Sequence, residues 1–373
     1  MIKLLNRVQK ERAQGLLVEI EKAAQAIGRS LVLMEVCGTH TVAIAQSGIR
    51  DLLPANIRLL SGPGCPVCVT DTADLDDVIN LAERPEVIIA TYGDLIRVPG
   101  SVSTLQEKRS QGANVQVVYS ALDALQLAER NPDSEVVMVG IGFETTAPTT
   151  AVVLEQAQQK DLRNFSVFSL HKVVPPALRA LLTDPEVRLD AFINPGHVCT
   201  ILGMEPFYFV SEEFHRPCVI AGFEPSDILE AILMILNQHR SGNWKVEIQY
   251  RRAVRPEGNQ VAKTYLERFF QPVSARWRGL GVIPDSGLAL KPEFAAWDTE
   301  QKLAGVRTTA ATDSGKRKKG PPCLCGPILK GQKQPGDCPS FGQACTPLRP
   351  VGPCMVSTEG ACAAYYRFGV GRK

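Results

Sequence analysis

Residues 31–40, LVLMEVCGTH, set an apolar run directly against a cysteine, a glycine, a threonine and a histidine. A run this short reads as a buried strand whose carboxyl end delivers polar groups to a ligand crevice. The same design recurs along the chain, at IRLLSG (57–62), EVIIATYG (86–93), VQVVYS (115–120), EVVMVGIGF (135–143), FSVFSL (165–170), DAFINPG (190–196) and PCVIAGF (217–223). Segments such as STLQEKRSQGA (103–113), ALDALQLAERN (121–131) and PSDILEAILMILN (225–237) read as helices between and after them. Ahead of them all, residues 9–28 place apolar side chains at helical spacing and end in a glycine suited to a C-cap. Strand and helix in alternation predict parallel βαβ units and so an α/β fold. There are more strands than one small sheet holds, and the series breaks near 112–118. We therefore expect two parallel-sheet α/β domains, over 1–115 and 116–240, with a cleft between them. Residues 241–373 read as a linker, rich in Arg, Gly and Pro, followed by a small Cys-rich region. Within it, 311–322 (ATDSGKRKKGPP) has the composition of a solvated loop.

With 373 residues, the chain is long enough for two or three separately cored domains. Its 41 Lys+Arg against 39 Asp+Glu leave a net charge of +2, which argues against nucleic acid as the main partner. No apolar run approaches the ~18–20 residues of a membrane helix. Charges also interrupt the apolar pairs of MIKLLNRVQKERAQ, unlike a signal peptide. A cytoplasmic protein without a membrane partner, monomeric on its own, is expected. The eleven cysteines are the unusual feature. Their number is odd, and a reducing compartment does not maintain a disulfide framework, so metal or redox chemistry is the leading explanation.

Cys37 follows the first strand with Thr39 and His40 close behind, placing a soft thiolate ligand and an imidazole at one strand end. SGPGCPVCVT (61–70) follows the second strand, and Cys65 and Cys68 have the C-x-x-C spacing of a redox dithiol; half a zinc site is the competing reading. Gly62 and Gly64 allow close backbone approach there. TYGDLIRVPG (91–100), GFETTAPT (142–149), HKVVPP (171–176), INPGHVCT (193–200) and GFEP (222–225) each follow a strand, so these loops converge on the cleft, with His197 and Glu144 as its titratable members. Cys199 and Cys218 lie in or beside apolar strands and read as core cysteines, and His215 and His239 receive no role. Cys323, Cys325, Cys338, Cys345, Cys354 and Cys362 crowd the C-terminal region, whose Cys, Pro and Gly content points to metal rather than an apolar core as its support. Four thiolates suffice for an iron–sulfur cluster or a zinc ion, and a cluster beside a free dithiol accounts for the remaining two.

CGTH, GPGCPVCVT, TYGDLIRVPG, GFETTAPT, INPGHV, AGFEP, RAVRPEGN, WRGLGVIPDSGL and CPSFGQACTPLRPVGPCMVSTEGACAAYY, in this order from about Leu31 to Tyr366, resemble the HypD family of [NiFe]-hydrogenase maturation factors. The resemblance implies a scaffold on which the Fe(CN)2CO unit is assembled. It implies two partners, the chaperone HypC, which adds an iron-binding cysteine, and HypE, which delivers cyanide as a thiocyanate. Carried over by residue, it makes Cys37 the iron-holding thiolate with His40 beside it, and Cys65 and Cys68 the redox dithiol. It further implies a [4Fe-4S] cluster on Cys323, Cys338, Cys345 and Cys362, with Cys325 and Cys354 as a second redox pair. A thioredoxin-like iron–sulfur thiol-disulfide oxidoreductase would need only the C-x-x-C and the cluster, leaving CGTH without a purpose. A zinc-stabilised adaptor is the third reading.

Overall fold

The structure is a computed structural model and describes residues 7–307 and 322–369. The basic run at 311–321 lies outside the described residues. The strands are β1 Leu31–Glu35, β2 Ile57–Ser61, β3 Val87–Thr91, β4 Val115–Val117, β5 Glu135–Gly140, β6 Phe165–Ser169, β7 Ala191–Pro195, β8 Cys218–Ala221, β9 Val246–Ile248, β10 Phe270–Trp277 and β11 Gly281–Leu290. Two all-parallel sheets form the expected α/β architecture, one ordered β2-β1-β7-β8-β9 and the other β4-β3-β5-β6.

Parallel strands need cover on both faces, which is why they read as nearly continuous apolar runs. On β1, Leu31 and Leu33 face the helices Arg7–Ile27 and Pro225–Ser241 through Ala23, Ala24, Ile228 and Ile232. Met34 points the other way, into a core shared with Leu60 and Phe192. In the second sheet, Val136 and Met138 pack on Ala124, Leu125 and Leu154, and Val137 and Val139 on Val78 and Leu105. The period-2 alternation thus sends successive side chains to different helical layers.

The two sheets do not part at residue 115. Val115 lies inside β4, and the first sheet is completed by β7 and β8, which fall within the expected second domain, and by β9, which falls within the expected linker. β1 is central and must be hydrogen-bonded along both edges; β2 satisfies one and β7 the other. The chain leaves the first sheet after β2, builds the second sheet whole, and returns.

The region read as a linker contains β9, the helix Gln260–Phe269 and an antiparallel hairpin of β10 and β11 with an irregularity between Val273 and Ala275. The hairpin joins both units, because Trp277 bridges to Thr70 and Gly287 to Lys172. The Cys-rich region is also packed more deeply than its composition suggested. Cys325, Ile328, Leu329, Cys354, Met355 and Cys362 share one apolar core with Met34, Leu60, Cys65, Cys68 and Phe192. The segment has no core of its own because it borrows the outer face of the first sheet. Among the described residues, no helix is long and apolar enough to cross a membrane.

Leu33 is fully buried, whereas Val18 on the first helix is 53% exposed. Leu33→Ala should lower the unfolding free energy by about 2–5 kcal/mol and Val18→Ala by about 0.5 kcal/mol or less, read from urea denaturation.

A candidate thiol site in the cleft

In an open parallel sheet, ligands gather where the strand order reverses, at the carboxyl ends of the strands. The first sheet reverses between β1 and β7, and the second between β3 and β5. These two switch points line the same cavity, of about 260 Å³, to which the first contributes Cys37 and His197 and the second Tyr92 and Phe143. Gly64 and Glu359 complete its wall.

Cys37 occupies the N-cap of the helix Gly38–Ser47, with extended backbone angles. Its sulfur lies near the backbone N–H groups of Thr39 and His40 at the helix start, without a capping hydrogen bond. Its own N–H donates to Glu35 Oε2 at 3.1 Å, and Thr41 Oγ1 donates to Glu35 Oε1 at 2.6 Å. Burial pushes the Cys37 thiol up to about 12, with Glu35 and Glu359 adding to the rise and the His40 N–H opposing it. The sulfur therefore keeps its proton near pH 7. Burial also raises Glu35 to about 7, against the opposing pull of Arg50, which stands 3.9 Å away and over the ring of Tyr365.

Cys65 caps the short helix Pro66–Val69, and Cys68 N–H donates to its sulfur at 3.2 Å. The two cysteines are joined as a disulfide, with Cα atoms 5.2 Å apart. The Gly38 N–H donates to Gly64 O at 2.9 Å, so this loop and the Cys37 loop touch through backbone. A Cβ on Gly64 would collide with the backbone of Cys37.

His40 is placed differently from the sequence reading. Its backbone reaches the Cys37 sulfur, but its ring is fully buried, bonded through Nε2 to Gly222 O at 2.8 Å, and does not line the cleft. Burial lowers it to about 4, so the ring is neutral near pH 7. Phe223 lies between the two histidine rings, 4.7 Å from His40 and 4.0 Å from His197. His197 does reach the cavity. Glu144 does not: its Oε1 accepts the Val174 N–H at 2.8 Å, and Oε2 is buried without a partner. Cys199 and Cys218 are buried and free, in keeping with core positions.

One contributor to the cavity wall went unread in the sequence, Glu359. Glu359 accepts from Thr39 Oγ1 at 2.9 Å and so binds the C-terminal segment to the Cys37 helix. Its position three residues before Cys362, in STEGAC, is the one local sign of it.

Behind this site, Cys323, Cys325, Cys338, Cys345 and Cys362 line one recess. Cys354 sits against Cys325 and Cys362, whose contacts raise its pKa, while Cys325 and Cys354 together lower Cys362 to about 6. Five convergent thiols match the soft donor set that a [4Fe-4S] cluster requires. Among the described residues, no three Cys, His, Asp or Glu side chains surround a single-ion position. The helix Pro353–Val356, carrying Cys354, packs on the helix Pro66–Val69, carrying Cys68.

The fold and the cleft place this chain among the parallel-sheet α/β proteins, with a thiol at the strand switch points. Residues 11–369 match the HypD family model, described as the hydrogenase formation hypA family. The chain is 49% identical over 349 residues to the hydrogenase maturation factor HypD of Rhizobium leguminosarum bv. viciae, covering 91% of this chain and 89% of that protein. It is 45% identical to the Rhodobacter capsulatus HypD over 96% of both chains, and 44% identical to that of Escherichia coli K12 over 91% of this chain and 90% of the relative. The chain belongs to the HypD family of hydrogenase maturation factors.

Burial lifts Glu144 from 4.5 to about 7. A raised carboxyl stabilises the fold fully below its unfolded value, and that contribution is lost as pH rises through the folded one. Between pH 4.5 and 7 the native protein should therefore lose stability that Glu144→Gln retains, a difference on the order of 3 kcal/mol measured by urea unfolding at each pH.

Proposed function

We propose that this protein is the cytoplasmic scaffold on which the Fe(CN)2CO unit of a [NiFe]-hydrogenase is assembled, with Cys37 holding the iron. The observation that carries this reading is the position of Cys37, a lone thiol facing the cavity where both sheets reverse, with a C-x-x-C loop against its backbone.

Iron is the cargo here. The Cys37 thiol gives up its proton on binding a cation, and the Thr39 and His40 N–H groups then steady the thiolate. Glu359 and His197 flank the open side, where HypC supplies a further cysteine ligand and HypE presents cyanide as a thiocyanate. Releasing cyanide from a thiocyanate leaves a thiolate and consumes two electrons. A reduced Cys65–Cys68 pair provides both as it closes to the disulfide.

Four of the recess thiols, Cys323, Cys338, Cys345 and Cys362, would hold a [4Fe-4S] cluster, which supplies electrons one at a time. Cys325 and Cys354, in mutual contact, make the second dithiol. Cys354 leads toward the C-x-x-C pair because its helix lies on theirs. A thioredoxin-like oxidoreductase acting on protein disulfides is less well supported. It needs an accessible C-x-x-C, whereas Cys65 and Cys68 are both buried.

The deciding experiment is infrared spectroscopy and iron analysis of the anaerobically purified protein in complex with its HypC partner. Native protein should show CN and CO stretching bands. Cys37→Ala should lose them while keeping its iron–sulfur absorption, and Cys65→Ser should retain partner binding yet fail to mature hydrogenase. Unaltered CN and CO bands in Cys37→Ala would remove the iron-holding assignment.

A further inference from the structure

A second cavity lies near the thiol site, larger than the cleft. It measures about 590 Å³ and lies on the far side of Trp277, between the end of β6, the β10–β11 hairpin and the helix Thr299–Lys302. The reading of the cleft gives it no task.

Lys172, Arg276 and Arg307 line it. Lys172 is 2% exposed, an unusual state for a lysine, which is seldom buried without a firm partner. Its nearest carboxylate oxygen is Asp74 Oδ2, at 3.8 Å and beyond hydrogen-bond distance, with Asp71 acting on it from farther off. Asp74 is already committed elsewhere. Its Oδ1 accepts from Arg276 at 2.6 Å and from Arg307 at 2.9 Å. Asp77 lies 3.4 Å from both guanidiniums. The other carboxylates of the lining are also engaged. Asp298 accepts from the Glu300 N–H at 2.9 Å and so caps its own helix, and Glu300 Oε1 accepts from Arg307 at 2.6 Å.

The buried pair Asp74 and Asp77 therefore faces three cations. The third counter-charge comes from Glu300, a part-exposed side chain at the rim. Arg307 is further fixed by stacking over the Phe168 ring at 4.6 Å. Guanidiniums held in place by buried carboxylates, with an ammonium below them left short of a partner, suit a planar or tetrahedral oxyanion.

We propose that this cavity is a binding site for a small phosphorylated metabolite, whose phosphoryl group is held by Lys172, Arg276 and Arg307 and takes the place of the Glu300 carboxylate on Arg307. The volume exceeds what inorganic phosphate fills, leaving room for the organic part along Gln271, Ser274 and Gln301. The site is built to report to the cleft. Lys172 Nζ stands 5.9 Å from the Trp277 ring, and Trp277 stacks on Phe143, a cleft residue, at 6.0 Å. This proposal is independent of the scaffold reading.

The test is isothermal titration of the full-length protein with inorganic phosphate, against chloride at matched ionic strength. Saturable phosphate binding is expected, weakened about tenfold or more in Lys172→Met. Glu300→Gln removes the internal competitor at the rim and should tighten binding. Because Lys172 is buried, circular dichroism checks that its variant folds; Glu300→Gln, at the surface, tests the site even where Lys172→Met does not fold. Phosphate binding no better than chloride, a folded Lys172→Met with native affinity, or a Glu300→Gln without gain each overturns the proposal.

Discussion

One backbone hydrogen bond, from Gly38 N–H to Gly64 O, holds together the two loops on which the site depends. It forms only because neither loop carries a side chain at the point of contact. A Cβ on Gly64 would overlap the Cys37 backbone, and one on Gly38 would press on Glu359. The Cys37 loop is thus clamped between the C-x-x-C loop and the C-terminal segment. Glu35 anchors it from beneath by accepting the Cys37 N–H. The backbone that carries the sulfur is thus fixed while the sulfur itself faces the cavity, and nearby backbone N–H groups need no reorganisation when charge appears on it.

Much of this was legible in the sequence because each strand announces itself twice, first by a short apolar run and then by a loop of Gly, Cys, His or Thr. All eight runs form strands, and the loops after β1, β2, β3, β5 and β7 meet at the cleft, whereas HKVVPP turns to the cavity lined by Lys172 and GFEP packs behind the cleft against His40. The order of strands within a sheet was not legible. Nothing local in LVLME distinguishes a neighbour at 57–61 from one at 191–195, since both present the same apolar edge. The β10–β11 hairpin was hidden for a different reason: Pro272, Gly279, Gly281, Pro284 and Gly287 break its alternation, and its burial depends on Thr70 and Lys172, far away in sequence. The direction of the His40 ring, set by Gly222 and Phe223, is likewise a tertiary fact.

The C-terminal cysteines show how composition misleads when a segment borrows its core. Read alone, a stretch of Cys, Pro and Gly lacks enough apolar surface to fold. In place, Ile328, Leu329 and Met355 lie on Met34 and Leu60, and Tyr365 receives the Arg50 guanidinium. All of these thiols but Cys323, which is exposed, are therefore buried against the body of the protein. Low dielectric strengthens every charge interaction among them, and their pairing is set by which helices touch.

The excursion of the chain between β2 and β7 bears on how the protein is made. When β1 and β2 leave the ribosome, the partner for the free edge of β1 is still about 130 residues from being synthesised, at the ~5–20 residues per second of translation. For those seconds a largely apolar strand offers an unpaired ladder of N–H and C=O groups, the kind of edge that recruits other chains. The second sheet, contiguous in sequence, can complete itself meanwhile. The nascent chain thus emerges with the first sheet, which carries Cys37, closing after the second, and holdase chaperones that shield the β1 edge should govern yield more than the stability of the finished fold does.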